Sequence, residues 1–362
     1  MSDDRRTTDG ASGAATTSAP NSRPGLLRSL AHRVAGDTAD LPVEGHLASF
    51  DGATGWLNSE PLTPEGLRGR VVLVDFWTYT CINWLRTLPY VRAWSTKYAA
   101  AGLTVVGVHT PEFGFERDLD NIVEQARNFG VDYPIAIDSQ YGVWGAFANH
   151  FWPAVYLADE QGRIRFHHFG DGEYPMTEMV IQQLLIDAGA QDIDQDLVAV
   201  EPRGLEVAAD WRTSESSETY TGYGQSTSFA SDDVAAFDRP HVYAARQGLP
   251  LNYWDLSGNW TVARHAAILN ETGGRIAFQF HARDVNLVMG PASKGAAIPF
   301  RVYLDDQVAD GAHGTDVEPG GRGTVTDQRT YQLIRQTGEI ADRRFEIEFL
   351  DAGLEAYCFT FG

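Results

Sequence analysis

The residues that constrain this chain most are Val71 to Pro89, V-V-L-V-D-F-W-T-Y-T-C-I-N-W-L-R-T-L-P. An apolar run of strand length leads into a short aromatic turn and then into a helical segment with Cys81 at or near its first position. Backbone N–H groups at a helix start have no partner inside the helix, and together with the helix dipole they stabilise an anion. A thiol at that point is expected to have a lowered pKa and a raised thiolate fraction, which is how a reactive cysteine is made. A second apolar run, Leu103 to His109, follows the helix. Strand, helix and strand in that order call for a parallel pair joined by a right-handed crossover.

The 362 residues suffice for two domains with separate cores. A formal charge of −21, from 28 basic and 49 acidic residues, repels phosphate backbones and anionic bilayers, so neither nucleic acid nor membrane is an expected partner. Cys81 and Cys358 are the two cysteines, too few for a disulfide scaffold or a cysteine zinc site. His167 and His168 would point to opposite faces of a strand, so no metal is expected there, nor any other cofactor. The opening M-S-D-D-R-R lacks an apolar run after its basic pair, and no stretch is long and apolar enough to span a bilayer. The chain is therefore expected to be soluble and cytoplasmic.

Residues 1–40, rich in Ser, Thr, Ala, Gly and Asp, are expected to form a disordered tail, with one short amphipathic helix over Pro24 to Val34. From 41 to 190 the pattern alternates strands and helices. It begins with a small hairpin made of Ala48 to Trp56 and the segment before Leu67, and reaches the strand Val71 to Phe76. The helix from Cys81 to Ala101 is expected to bend at Pro89. Asp118 or Asp120 would cap a helix through Phe129. Later elements are a short strand near Ile137, a helix from Tyr141 to Asn149, a hairpin turning at Asp159 to Gly162, and a last helix over Thr177 to Ala188. After a linker, 191–215, residues 216–362 alternate apolar and polar positions between glycine-rich turns, as in an antiparallel β-sandwich of jelly-roll type.

The central stretch resembles the active-site segment of the thioredoxin superfamily, most closely its TlpA/ResA-like branch and the corresponding part of DipZ-type proteins. Asp75, Phe76 and Trp77 match the family's D-F-W, Cys81 takes the nucleophile's place, and Pro153 falls where the family has a cis-proline facing it. Trp84 departs from the pattern by standing where C-x-x-C has its second cysteine. The segments Glu218 to Tyr223, Trp254 to Trp260 and Ala356 to Gly362 resemble the carbohydrate-binding-module-like domain of DipZ-type proteins. The resemblance implies an α/β thioredoxin-like domain followed by an all-β jelly-roll sandwich, and a site made of Cys81 and Asp75 with a pocket of Trp77, Thr78, Thr80, Asn83, Trp84, Trp152 and Pro153.

Indole cannot attack a mixed disulfide, so a working Cys81 needs an external thiol for release, or its chemistry stops at a sulfenic acid, a persulfide or a stable adduct. The expected partners are a low-molecular-weight thiol or a reductase, and a peptide or small-molecule substrate. Trp84 could be the wall of an apolar pocket beside the thiolate, or a plug filling a lost site. Asp75 could act as a base through water or be inherited structure. Thr78 echoes the T-x-x-C of peroxiredoxins, but Val74 replaces that motif's proline. Trp254, Trp260, Tyr220, Tyr223 and Tyr243 could stack on sugars, although core packing is the plainer account; Cys358 reads as a core thiol in preference to a resolving partner for Cys81. Three readings stay open: a single-cysteine thiol protein reacting with a disulfide, persulfide or other electrophile; a redox-inactive binding protein for a peptide, glycan or apolar molecule; and a specialised thiol-dependent biosynthetic enzyme or peroxidase.

Overall fold

The computed structural model describes residues 41–231 and 236–362, so the expected tail and its helix lie outside the described residues. The first part is a seven-stranded sheet: β1 (Gly45–His46), β2 (Gly55–Leu57), β3 (Val71–Trp77), β4 (Leu103–His109), β5 (Ile135–Ile137), β6 (Ala154–Ala158) and β7 (Arg163–Phe169), in the order β1-β7-β6-β3-β4-β5-β2. The helices are α1 (Ile82–Tyr98), α2 (Leu119–Asn128), α3 (Gly142–Ala146) and α4 (Tyr174–Asp187). β3 is buried along its whole length, because its alternate side chains serve two cores. Val72, Val74 and Phe76 join one cluster; Val71, Leu73 and Trp77 join the other, beneath α1 and α4. Asp118 is the residue that caps α2, through the backbone N–H of Asp120 at 2.9 Å.

The hairpin expected before the core strand does not form. β1 pairs with β7 at one edge of the sheet and β2 with β5 at the other. Two short strands thus cover both exposed edges, which satisfies edge backbone groups that a local hairpin would have left open.

The second part is a curled antiparallel sheet. Its strands are β8 (Thr219–Tyr220), β9 (His241–Tyr243), β10 (Trp254–Val262), β11 (Ala267–Leu269), β12 (Arg275–Phe280), β13 (Asp284–Pro291), β14 (Ile298–Leu304), β15 (Gln307–Val308), β16 (Arg322–Val325), β17 (Arg329–Arg335), β18 (Arg343–Phe349) and β19 (Leu354–Phe361). β10 pairs with β12 up to Ser257 and with β9 and β11 from Gly258 onward. Gly258 has φ +96°, a conformation glycine adopts without steric cost, and a Cβ there would meet the Gly274 backbone at 2.9 Å. The strand turns there and carries the sheet around a single core containing Trp254, Trp260 and Tyr243.

The two parts are bonded beside α1. The buried Arg86 guanidinium donates to the Phe361 carbonyl at 3.0 Å and to Asn83 Oδ1 at 3.2 Å. Thr330 Oγ1 donates to the Thr80 carbonyl at 2.7 Å, and Tyr357 packs on Phe113 and Phe115 with ring centroids at 5.4 and 4.8 Å. Arg86→Ala would leave a buried carbonyl without its charged donor, an expected loss of about 2–3 kcal/mol. Urea unfolding checks this; an unchanged midpoint would mean that the last strand is held by its own sheet alone.

Candidate functional site

The site begins where β3 ends. Phe76 pairs with Ala154, so Pro153, whose bond from Trp152 is cis, lies at the level of Trp77 as the chain leaves the sheet. Trp77 also pairs with His109 on β4, and the Thr110 N–H donates to the Trp77 carbonyl at 3.0 Å. Trp152 Nε1 in turn donates to the Thr110 carbonyl at 3.0 Å. This gathers the residues around Trp77, the Trp152-Pro153 segment and the loop after His109 at one end of the sheet.

Cys81 is the N-cap of α1, as its place in the sequence leads one to expect, and its carbonyl accepts from the Leu85 N–H at 3.0 Å. It is half-buried and keeps solvent contact. The direction of its titration, however, is opposite to the expectation. Burial pushes the thiol pKa well up, and the charge of Glu112 adds to this; backbone N–H groups of Trp84 and Asn83 pull the other way without prevailing. The helix start is present, but the surrounding protein outweighs it.

Trp84 is wholly buried. It stacks on Trp77 at a centroid distance of 4.3 Å, meets Phe129 edge-on at 5.8 Å, and donates from Nε1 to Asp75 Oδ2 at 3.0 Å. Facing inward, it has no surface to offer a ligand and works as a plug with a polar tip. Asp75 sits beneath it, its pKa raised to about 7 by burial against the opposing effects of Trp84 and Tyr133. Asp75 Oδ1 and the Tyr133 hydroxyl lack hydrogen bonds of normal geometry among the described residues, although Tyr133 is near enough to favour the ionised acid. Gly107 makes room for this packing, since a Cβ there would meet Trp77 at 2.8 Å and Tyr133 at 3.0 Å.

Thr78 and Thr80 are buried as well, so of the expected pocket walls Asn83 and Trp152 retain accessible surface. Thr80 donates to Glu116 Oε1 at 2.6 Å, while Glu116 Oε2 accepts from the backbone N–H groups of Glu112 and Phe113 at 2.6 and 2.8 Å. The buried Glu116 thereby clamps the loop after β4 against the loop before Cys81. His109 is sealed between Trp77 and Tyr79, its pKa lowered to about 3 by burial, and neither ring nitrogen has a partner among the described residues.

Sequence reasoning missed the acidic residues here. The Tyr220 hydroxyl donates to Glu112 and reaches Glu218 Oε2 at 3.2 Å. Both carboxyls have raised pKa values, chiefly through burial and, for Glu112, through the charge of Glu218. Glu218 is exposed, so solvent screens much of this effect. Glu112 and Glu116 stand four apart in the loop after His109, the one local signal that could have marked them. Trp254, Trp260 and Tyr243 are core residues with at most 2 % exposure, which removes them as a sugar platform. Tyr223 donates to Asp238 at 2.8 Å.

Residues 216–362 match the family described as thioredoxin-like C-terminal domain. DipZ proteins of Mycobacterium bovis and Mycobacterium tuberculosis are 37% identical over 261 residues, covering 70% of this chain. The chain belongs to the thioredoxin-like superfamily. It spans 36% of the length of those DipZ proteins. The thiol-disulfide oxidoreductase YkuV of Bacillus subtilis is 29% identical over 141 residues, covering 39% of this chain and 95% of that relative. Among solved structures, a thioredoxin-like protein in its oxidised form is 30% identical, covers 41% of this chain and 99% of its own, and has a TM-score of 0.38. The first part has a thiol-disulfide-oxidoreductase-like thioredoxin fold, with Trp84 three residues after Cys81. No helix among the described residues is long and apolar enough to cross a membrane.

Proposed function

We propose that this is a single-cysteine thiol protein in which Cys81 attacks the disulfide of a peptide or small molecule and holds one half as a mixed disulfide. The observation that carries this reading is Cys81 at the cap of α1, half-buried, where the backbone N–H groups of Asn83 and Trp84 act to lower its pKa although its side chain forms no cap hydrogen bond, while Trp84 fills the second position. The N–H groups favour the thiolate in the exchange reaction, and indole has no sulfur with which to release the product. A low-molecular-weight thiol or a reductase would complete the cycle.

The raised thiol pKa favours a second reading, a binding protein that has lost redox activity. Iodoacetamide labelling of the native chain separates the two, since the thiolate is the reacting form. On the first reading Cys81 is labelled at neutral pH, slowly, with a rate still climbing above the ordinary thiol pKa of about 8.5, and Cys81→Ser removes the signal. Labelling that appears only after denaturation would establish the second reading instead.

A further inference from the structure

Cys358 does not sit where a core thiol of the sandwich would. Its neighbours on β19, Ala356 and Phe359, enter the sandwich core, but the pairing with β13 slips between Val288 and Met289, leaving Tyr357 without a register partner on β13. A bulge of this kind re-aims side chains. Tyr357 and Cys358 instead join Phe113, Ala266 and Val288 in a separate buried cluster spanning both parts of the molecule.

The sheet register locates Cys358 relative to Cys81. Thr330 pairs with Val288, Val288 with Cys358, and Cys358 with Tyr220. Directly paired residues share a face, so these four form one row across β17, β13, β19 and β8. Both ends of the row touch the thioredoxin-like part beside the nucleophile. Thr330 donates to the carbonyl of Thr80, the residue before Cys81, and Tyr220 donates to Glu112. Cys358 lies between them on the same face.

We propose that Cys358 is the resolving thiol of this site, supplied by the second part of the chain where α1 carries tryptophan. The inference rests on Cys81 being the nucleophile and replaces the first external releasing thiol by an internal one. In the first step the Cys81 thiolate attacks the substrate disulfide; a Cys81–substrate S–S bond forms, the substrate bond breaks, and the leaving sulfur takes a proton. Cys358 then gives up its proton and attacks the Cys81 sulfur. A Cys81–Cys358 bond forms, the second substrate sulfur leaves as a thiol, and the substrate has gained two electrons that the two cysteines have lost. An external dithiol reduces the Cys81–Cys358 bond and resets the site. Burial chiefly, and then the charges of Glu112 and Glu218, push both thiol pKa values well up, and Cys358 also senses Cys81, so the two sulfurs lie in one buried acidic surrounding and their exchange is expected to be slow at neutral pH.

The test uses the reduced full chain and one equivalent of the aromatic disulfide dithiobis-nitrobenzoate, read by thionitrobenzoate absorbance and intact mass. The wild-type chain is expected to release both halves of the reagent, to carry no adduct, and to yield a Cys81–Cys358 peptide pair on digestion without reductant. Cys358→Ala and Cys358→Ser are expected to release half as much and retain the adduct on Cys81. A wild-type chain that keeps the adduct as these variants do overturns the role of Cys358 and leaves Cys81 as a monothiol nucleophile. A wild-type chain no more reactive than Cys81→Ser overturns both.

Discussion

Trp84→Ala is expected to lower the unfolding free energy by about 3–5 kcal/mol, the range for removing a large buried aromatic side chain. The indole fills the space between Trp77, Phe129 and Asp75, and its N–H is the donor to Asp75 Oδ2. Truncation therefore opens a cavity and strands a buried carboxyl at once. Trp84→Phe separates the two effects, keeping most of the ring while deleting the donor, with an expected loss of about 1–3 kcal/mol. Urea unfolding measures both, and the losses should grow at alkaline pH, where Asp75 is ionised. A loss below about 1 kcal/mol for Trp84→Ala would mean that the site collapses around the vacancy. Trp84→Cys restores C-x-x-C at a similar cost in stability. Placed in a Cys358→Ala background, where no other resolving thiol remains, that substitution should bring a gain of insulin-disulfide reduction with an external dithiol if Cys81 is a competent nucleophile; a folded variant without this gain would mark Cys81 as inert.

Asp75→Asn is expected to change how stability depends on pH by up to ~4 kcal/mol between about pH 4 and pH 8. In the folded chain Asp75 holds its proton up to about 7, against 3.8 for the ordinary acid. Between those values the native state binds a proton that the unfolded chain has released. The stability this confers is full below the unfolded pKa and is lost as pH rises through the folded one. His109 acts in the opposite sense. Its pKa falls from 6.5 to about 3, so the unfolded chain takes up a proton that the native state refuses, and stability drops as pH falls through that window. The two slopes partly cancel in the wild-type chain. Asn in place of Asp75 removes one of them, so the variant should gain on the wild type as pH rises, while its own stability climbs more steeply up to about pH 6.5. A difference between the two proteins that is flat across the range would show Asp75 titrating as an ordinary acid.

Much of the architecture is legible in local pattern. β3 is readable because a strand packed on both faces must be apolar nearly throughout, and Val71–Trp77 is such a run interrupted by Asp75. Local pattern narrows the cap of α2 to Asp118 or Asp120, of which the structure uses Asp118, and the Asp159 to Gly162 turn separates β6 from β7 as the turn residues require. The edge strands were not readable in the same way. The segment Ala48 to Trp56 and the one before Leu67 look like a local hairpin, yet the strands that form, Gly45–His46 and Gly55–Leu57, find partners more than 75 residues away in β7 and β5. Pairing across the sheet depends on which edges stay open once the larger strands have assembled, and neighbouring residues carry no record of that.

By itself the sequence determined that a strand, an aromatic turn and a helix would bring Cys81 to a helix cap, and that Trp84 would stand one turn beyond it. Only the tertiary structure decided how that thiol titrates and what surrounds it. A helix cap is a local property, set by residues adjacent in the chain. Burial, the charge of Glu112, the row that runs from Thr330 through Cys358 to Tyr220, and the packing of Trp84 against Phe129 come from segments distant in sequence. Desolvation acts through everything packed around an atom, so the sign of the Cys81 shift followed from the assembled fold.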